Sequence, residues 1–108
     1  MKIAIVGGGI GGLTAALALS QNSHDITVFE RSAGIREIGA GVLISPNAGR
    51  LLHSLGLGAA YSEISVIPHR VVLRRWEDDS IIRATDIDES FLSQHQIPLA
   101  NIARNELV

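Results

Sequence analysis

The feature that most narrows the fold is a run of five glycines in six positions, residues 7–12 with only Ile10 between them, placed directly after the β-branched stretch Lys2–Val6. A helix continued through these glycines would lose about 1 kcal/mol at each relative to alanine. The chain must therefore turn there. The same cost bears on targeting. Residues 3–23 carry no charge and hold Gly8 and Gly12 at the spacing of a membrane helix-packing motif, an outline close to a signal peptide or a span. Neither tolerates so many glycines, so a soluble, cytoplasmic protein without a membrane span is expected.

On either side of the turn the pattern is that of a βαβ unit. Residues 2–6 read as a strand buried on both faces. Residues 11–21, with Leu13, Ala16, Leu17 and Ala18, read as a helix whose alanines allow close approach to a sheet. Asn22-Ser23-His24-Asp25 breaks it, and residues 26–29 repeat the strand pattern, closed by Glu30. Two such strands joined by a helix should pair in parallel. Residues 32–45 show no period and are expected to form an extended loop. Ser45 and Pro46 occupy the N-cap and first positions of a helix bearing Leu51, Leu52 and Leu55, which Gly56 or Gly58 should stop. Residues 66–76 and 80–85 read as a hairpin turning at Glu77-Asp78-Asp79. Residues 86–98 are expected to be irregular, 99–102 a strand, and 104–107 the first turn of a helix. The fold class is α/β: a Rossmann-like βαβ segment followed by the start of a second, β-rich sheet.

The chemistry resides in the glycines. Gly7, Gly9 and Gly12 form Gly-x-Gly-x-x-Gly between a strand and a helix, and Glu30 ends the next strand eighteen positions after Gly12. In such a unit the first glycine permits the tight turn, the second lets backbone approach a pyrophosphate, and the third lets the helix pack closely. The helix N-terminus offers unpaired N–H groups to the phosphates. Glu30 can accept from ribose hydroxyls, which favours a cofactor with a free 2′-hydroxyl over NADP. The motif does not distinguish NAD from FAD. Net charge is -2 with scattered Lys and Arg, so no basic face exists for nucleic acid. Cysteine is absent, which removes thiolate nucleophiles and Cys-based zinc sites. His24, His53, His69 and His95 lack metal-ligand spacing, and no metal is expected. Trp76 is read as a packing residue. No residue stands out as a general acid, base or nucleophile, so catalytic residues are not assigned.

Ile3-Ala4-Ile5-Val6-Gly7-Gly8-Gly9-Ile10-Gly11-Gly12-Leu13, Val28-Phe29-Glu30-Arg31, Arg36-Glu37-Ile38-Gly39-Ala40-Gly41-Val42, Ser45-Pro46-Asn47-Ala48 and Leu55-Gly56-Leu57 follow one another along the chain. Together they resemble the class A FAD-dependent aromatic-ring monooxygenases of the salicylate hydroxylase type. The resemblance implies an FAD held by Gly7, Gly9, Gly12, Glu30 and Arg31 at its adenosine end, with Ala40 and Gly41 presenting backbone towards the flavin. Ile102-Ala103-Arg104-Asn105-Glu106-Leu107 is similar to the family's His-Arg-Ala-Asp-Leu segment, which assigns Arg104 an FAD contact. Ala103 departs from the usual His, and Asn105-Glu106 from Ala-Asp.

By the same resemblance, NADH or NADPH reduces the flavin, O2 adds at its C4a to give a hydroperoxide, and a small aromatic substrate takes the distal oxygen. Residues 1–65 then correspond to the N-terminal part of the FAD-binding domain, 66–98 to a hairpin that begins the substrate-domain sheet, and 99–108 to a return to the FAD-binding domain. The family's two later FAD motifs, and most of its substrate sheet, are not among these 108 residues, so turnover by this chain alone is not expected. Three other classes fit the residues: an NAD-binding oxidoreductase fragment, a non-catalytic protein that meets a partner along its open sheet edge, and a secreted protein that would lose residues 7–12 with a signal peptide.

Overall fold

A computed structural model describes residues 1–34 and 40–107. Arg36, Glu37, Ile38 and Gly39 of the third family block lie outside the described residues. The chain divides into two compact units, Met1–Gly41 with Ala103–Val108, and Val42–Ile102.

The first unit contains the βαβ element: β1 (Lys2–Val6), α1 (Ile10–Ser20) and β2 (Asp25–Phe29). The strands are parallel, in register from Lys2 opposite Asp25 to Val6 opposite Phe29. Two further backbone bonds extend the ladder, Asp25 N–H to the Met1 carbonyl at 3.0 Å and Gly7 N–H to the Phe29 carbonyl at 2.8 Å. Helix α1 has no charged side chain and packs on both strands, as its leucine and alanine content requires. The expected burial of β1 on both faces is not met. Ile3 and Ile5 are half-buried while Ala4 and Val6 are exposed, Val6 to 88%. Helix α1 covers only one face of a sheet two strands wide, so alternate side chains stay in contact with solvent.

The second unit comprises β3 (Gly41–Ile44), α2 (Pro46–Leu52), α3 (Gly58–Ile64), β4 (Arg70–Arg74), β5 (Ile81–Asp86), α4 (Glu89–His95) and β6 (Ala100–Ala103). Strand β3 pairs with β6. Here the expected loop over 32–45 gives way to a strand, because the Val42-Leu43-Ile44 run finds a partner almost sixty residues away. Strand propensity is realised only where such a partner exists. Among the described residues the buried apolar side chains are Tyr61, Ala100 and Ile102.

Helix α2 starts as expected, with Ser45 at the N-cap position and Pro46 first. The Ser45 hydroxyl bonds the Asn47 side chain rather than a helix N–H. Gly56, at φ +86°, breaks the helix inside the wide turn His53–Leu57, and α3 follows at once. Tyr61 on α3 lies edge-on to the His53 ring, with centroids 5.4 Å apart. A β-carbon at Gly49 would stand 3.0 Å from Ile97 Cγ2 and 3.2 Å from the Tyr61 hydroxyl. Burial pushes the Tyr61 phenol up, and the Ser65 side chain acts in the opposite direction. The Ser65 hydroxyl donates to the Tyr61 carbonyl, and no described residue partners the phenol itself.

Strands β4 and β5 form the antiparallel hairpin, with an irregularity between Leu73 and Arg74. The turn falls where the acidic triplet places it. Asp78 Oδ1 accepts from the Ser80 N–H at 3.0 Å, and Asp79 adopts φ +59°. Pairing is shorter than the expected 66–76 stretch, because Pro68 cannot donate to a ladder. Val66 instead forms an isolated antiparallel bridge with Asn101. Trp76 is 90% exposed and so does not have the packing role expected of it within this chain.

Residues 86–98 are not irregular: α4 is capped by Asp88, whose carboxylate accepts from the Phe91 N–H at 3.0 Å. Its last turn closes on Gln96 at φ +67°, and Arg50 Nη1 donates to the His95 carbonyl at 3.1 Å. The cap was present in the sequence, but the polar surroundings of Phe91 and Leu92 concealed the helical period. Asp88→Ala is predicted to lower unfolding stability by about 1 kcal/mol while Asp88→Asn retains most of it, measured by urea denaturation. Equal midpoints for wild type and Asp88→Ala would remove the cap from this account.

Candidate dinucleotide-binding site

The glycine turn joins β1 to α1 at a distance that no other residue type permits. Gly7 sits at φ +109°, a backbone region that L side chains rarely adopt. A β-carbon on Gly12 would lie 1.9 Å from the Gly7 carbonyl oxygen and 3.0 Å from its carbon. The first turn of α1 therefore rests directly on the backbone of the preceding strand end. Gly9 is the N-cap, extended at φ −76° and ψ −178°, and no side chain caps the helix there. The N–H groups of the first turn have no acceptor within the helix. They leave an uncapped positive dipole end at the carboxyl edge of β1, the geometry that accepts phosphate.

Glu30 closes the other side. Its Oε2 accepts from the Gly8 N–H at 2.7 Å, and its Oε1 from the Ser32 N–H at 2.9 Å. These bonds, with that to Ser32 first in weight and that to Gly8 second, hold the carboxyl below its usual range. The Gly8 position itself is buried, and a β-carbon there would stand 3.2 Å from Glu30 Cβ. Sequence reasoning gave roles to Gly7, Gly9 and Gly12 but none to Gly8 or Ser32. Ser32 contributes first through its backbone N–H, which any residue but proline would supply, and further through its side chain, which also bonds the carboxylate. The need for a small residue at Gly8 appears only once Glu30 is in place.

The remaining expected residues lie in or at the border of the same unit. Arg31 follows Glu30 and is exposed. Ala40, exposed, accepts from the Arg104 N–H through its carbonyl at 3.3 Å, so Ala40 and Arg104 meet through backbone. Gly41 opens β3, and Arg104 opens a single 3-10 turn, Arg104–Leu107. The hydrogen bonds thus define two groups, the glycine turn with Glu30 and the Ala40–Arg104 pair. A helix seated on the strand end by a contact only glycine permits, an uncapped helix start and a fixed carboxylate at the next strand end fit a dinucleotide.

Gly12→Ala is predicted to destabilise the chain by about 2 kcal/mol or more, through the overlap with the Gly7 carbonyl. Gly11→Ala, where the new β-carbon meets nothing within 4 Å, should be neutral or mildly stabilising. Denaturant midpoints for the pair decide the matter, and similar values would count against the close approach. Glu30 also predicts a pH dependence. Folding lowers its pKa from the ordinary 4.5, so its contribution is complete above that value and is lost as pH falls through the lower folded one. The difference in midpoint between wild type and Glu30→Gln should therefore shrink on acidification. Asp78 and Asp86, also held low by Ser80 and Arg70 respectively, titrate in both proteins and cancel.

The family model for NAD(P)-binding Rossmann-like domains matches residues 5–61. The chain is 36% identical over 106 residues to a 3-amino-4-hydroxybenzoate 2-monooxygenase from Streptomyces platensis, covering 98% of the chain and 27% of that protein. It is 47% identical over 66 residues to a salicylate hydroxylase from Pseudomonas putida, covering 60% of the chain and 15% of the relative. Among solved structures, HpxO from Klebsiella pneumoniae complexed with FAD and uric acid superposes with a TM-score of 0.76 at 29% identity, over 99% of this chain and 26% of that one. The chain spans about a quarter of the length of the first relatives it matches. Among the described residues no helix is long and apolar enough to cross a membrane. With a family match over more than half its length, centred on the glycine turn and Glu30, the chain belongs to the NAD(P)-binding Rossmann-like domain family, and it is similar there to the FAD-dependent monooxygenases of aromatic rings.

Proposed function

We propose that this chain is the FAD-binding portion of an NAD(P)H-dependent flavoprotein monooxygenase that hydroxylates an aromatic or similar small organic ring. The observation that carries the dinucleotide part of the reading is the glycine turn, where the Gly12 contact, the uncapped α1 start and the carboxylate of Glu30 stand at one edge of β1 and β2; the choice of FAD is supported by the relatives. Relatives at 35–36% identity over 98% of the chain are monooxygenases of a hydroxybenzoate, and solved neighbours carry FAD. FAD held there would supply the redox chemistry between a nicotinamide and O2.

The residues of this chain have the simpler tasks of binding and orienting. Gly7, Gly9 and Gly12, with the first-turn N–H groups of α1, receive the pyrophosphate. Glu30 accepts from the hydroxyls of the adenosine ribose, with Arg31 beside it. Ala40 and Gly41 offer backbone to the flavin end, and Arg104 brings a permanent charge with forked donors to phosphate or ribityl oxygens. In this reading residues 1–65 and 99–108 serve the FAD-binding domain, and 66–98 begin the substrate-facing sheet. A cytoplasmic location and a small aromatic substrate belong to the same proposal.

The test is a visible spectrum of the full chain after incubation with FAD and gel filtration, beside Glu30→Ala. Wild type should retain a flavin band, and the variant should bind FAD roughly tenfold more weakly. Retention of NADH in a parallel incubation, read by its near-ultraviolet band, with no flavin retained from FAD would replace FAD by a nicotinamide cofactor. Retention of neither would refute cofactor binding by this chain.

A further inference from the structure

The geometry points to a second role for Glu30, as a positioning residue whose two carboxylate oxygens tie the glycine turn to the end of β2 and set the turn's shape before any ligand arrives. It deepens the dinucleotide reading above and rests on it for the ligand named in the test. Gly7 N–H bonds the Phe29 carbonyl at 2.8 Å. The next N–H, that of Gly8, bonds Glu30 Oε2 at 2.7 Å. The parallel ladder is thus continued one step past its last backbone acceptor by a side chain. The other oxygen, Oε1, takes the Ser32 N–H at 2.9 Å, which bends the chain back beneath the carboxylate and fixes its orientation. Gly8 is buried against the Glu30 side chain, and a β-carbon there would stand 3.2 Å from Glu30 Cβ and Oε2, closer than ordinary contact.

A carboxylate has about four acceptor positions, so two N–H bonds leave lone pairs for ribose hydroxyls. Both roles are compatible. Among the described residues no charge competes for the group from the elements around it: α1 and the glycine turn hold no titratable side chain, Lys2 and Asp25 lie at the far ends of β1 and β2, and Arg31 is the adjacent charge along the chain. Among the described residues the carboxylate is therefore anchored by the backbone N–H groups of Gly8 and Ser32, with the Ser32 side chain, rather than by an ion pair. A turn shaped in advance loses less freedom when the pyrophosphate binds, which raises affinity without a new contact.

The role separates from ribose recognition by experiment. In the ligand-free, 15N-labelled chain, the amide resonances of Gly8 and Ser32 should both shift with one common midpoint, below the ordinary glutamate value of 4.5, and Glu30→Gln should abolish both shifts. Amides that stay still, or that follow the ordinary value, overturn the clamp. ADP and 2′,3′-dideoxy-ADP then serve as probes, the second having no ribose hydroxyls for Glu30 to bind. Glutamine keeps an acceptor for a hydroxyl but cannot hold both N–H groups. Glu30→Gln should weaken both probes by the same factor, roughly three- to tenfold. A loss confined to ADP would reduce Glu30 to a ribose ligand and overturn the proposal. A wild-type chain that ignores ADP would refute the dinucleotide reading, and the amide titration would still decide the clamp.

Discussion

The contact between Gly12 and the Gly7 carbonyl is the constraint on which the first unit depends. A β-carbon there would come within 1.9 Å of the oxygen, so hydrogen alone permits α1 to start where it does. That start fixes where the helix lies on β1 and β2, and it leaves the first-turn N–H groups at the carboxyl edge of the strands. The positive φ of Gly7 reverses the chain within one residue, and the bond from its N–H to Phe29 keeps the reversal attached to β2. Glu30 then completes the turn from the other strand. Packing and backbone conformation meet in six residues, since the close approach that seats the helix also leaves its N-terminal N–H groups open, the arrangement that suits an anion.

Electrostatics at this edge are carried by dipoles more than by paired charges. Glu30 is held low by N–H groups of Gly8 and Ser32, whereas the hairpin has ordinary surface ion pairs, Arg70 with Asp86 and Arg74 with Asp79. Exposed pairs of that kind contribute little. Carboxylate bonds to fixed N–H donors orient a group with more geometric certainty, because the donors belong to a backbone already committed to a turn and a strand end.

The sheets themselves are narrow. Each of the three among the described residues is two strands wide, and a two-stranded sheet is marginal unless a further layer covers it. The exposed apolar side chains follow from this. Val6 and Phe29, at 88% and 57% exposure, end the two parallel strands next to the glycine turn. In open α/β sheets the carboxyl ends of the strands are where ligands bind, and these two residues therefore flank the candidate site with apolar surface. The relatives, about four times longer than the region matched, have correspondingly more chain from which to build a wider sheet.

Much of the first unit was legible before the structure, because its signals are local. A β-branched run, a glycine run, an alanine-rich helix and a second run ending in an acid define β1, α1, β2 and Glu30 within thirty residues, and each depends on neighbours a few positions away. The hairpin turn was legible for the same reason, through its acidic triplet. The pairing of β3 with β6, the helix α3 that buries Tyr61 and the helix α4 behind the Asp88 cap were not. Residues 41–44 are a strand only because 100–103 lie beside them, and loop closure over so long an interval leaves no mark in local composition. Sequence by itself determined the dinucleotide turn, since steric exclusion at Gly7 and Gly12 is a property of the residue type. Only the tertiary structure decided that Glu30 bonds Gly8 and Ser32, because a backbone N–H has no residue identity and becomes a partner solely through where the chain has folded.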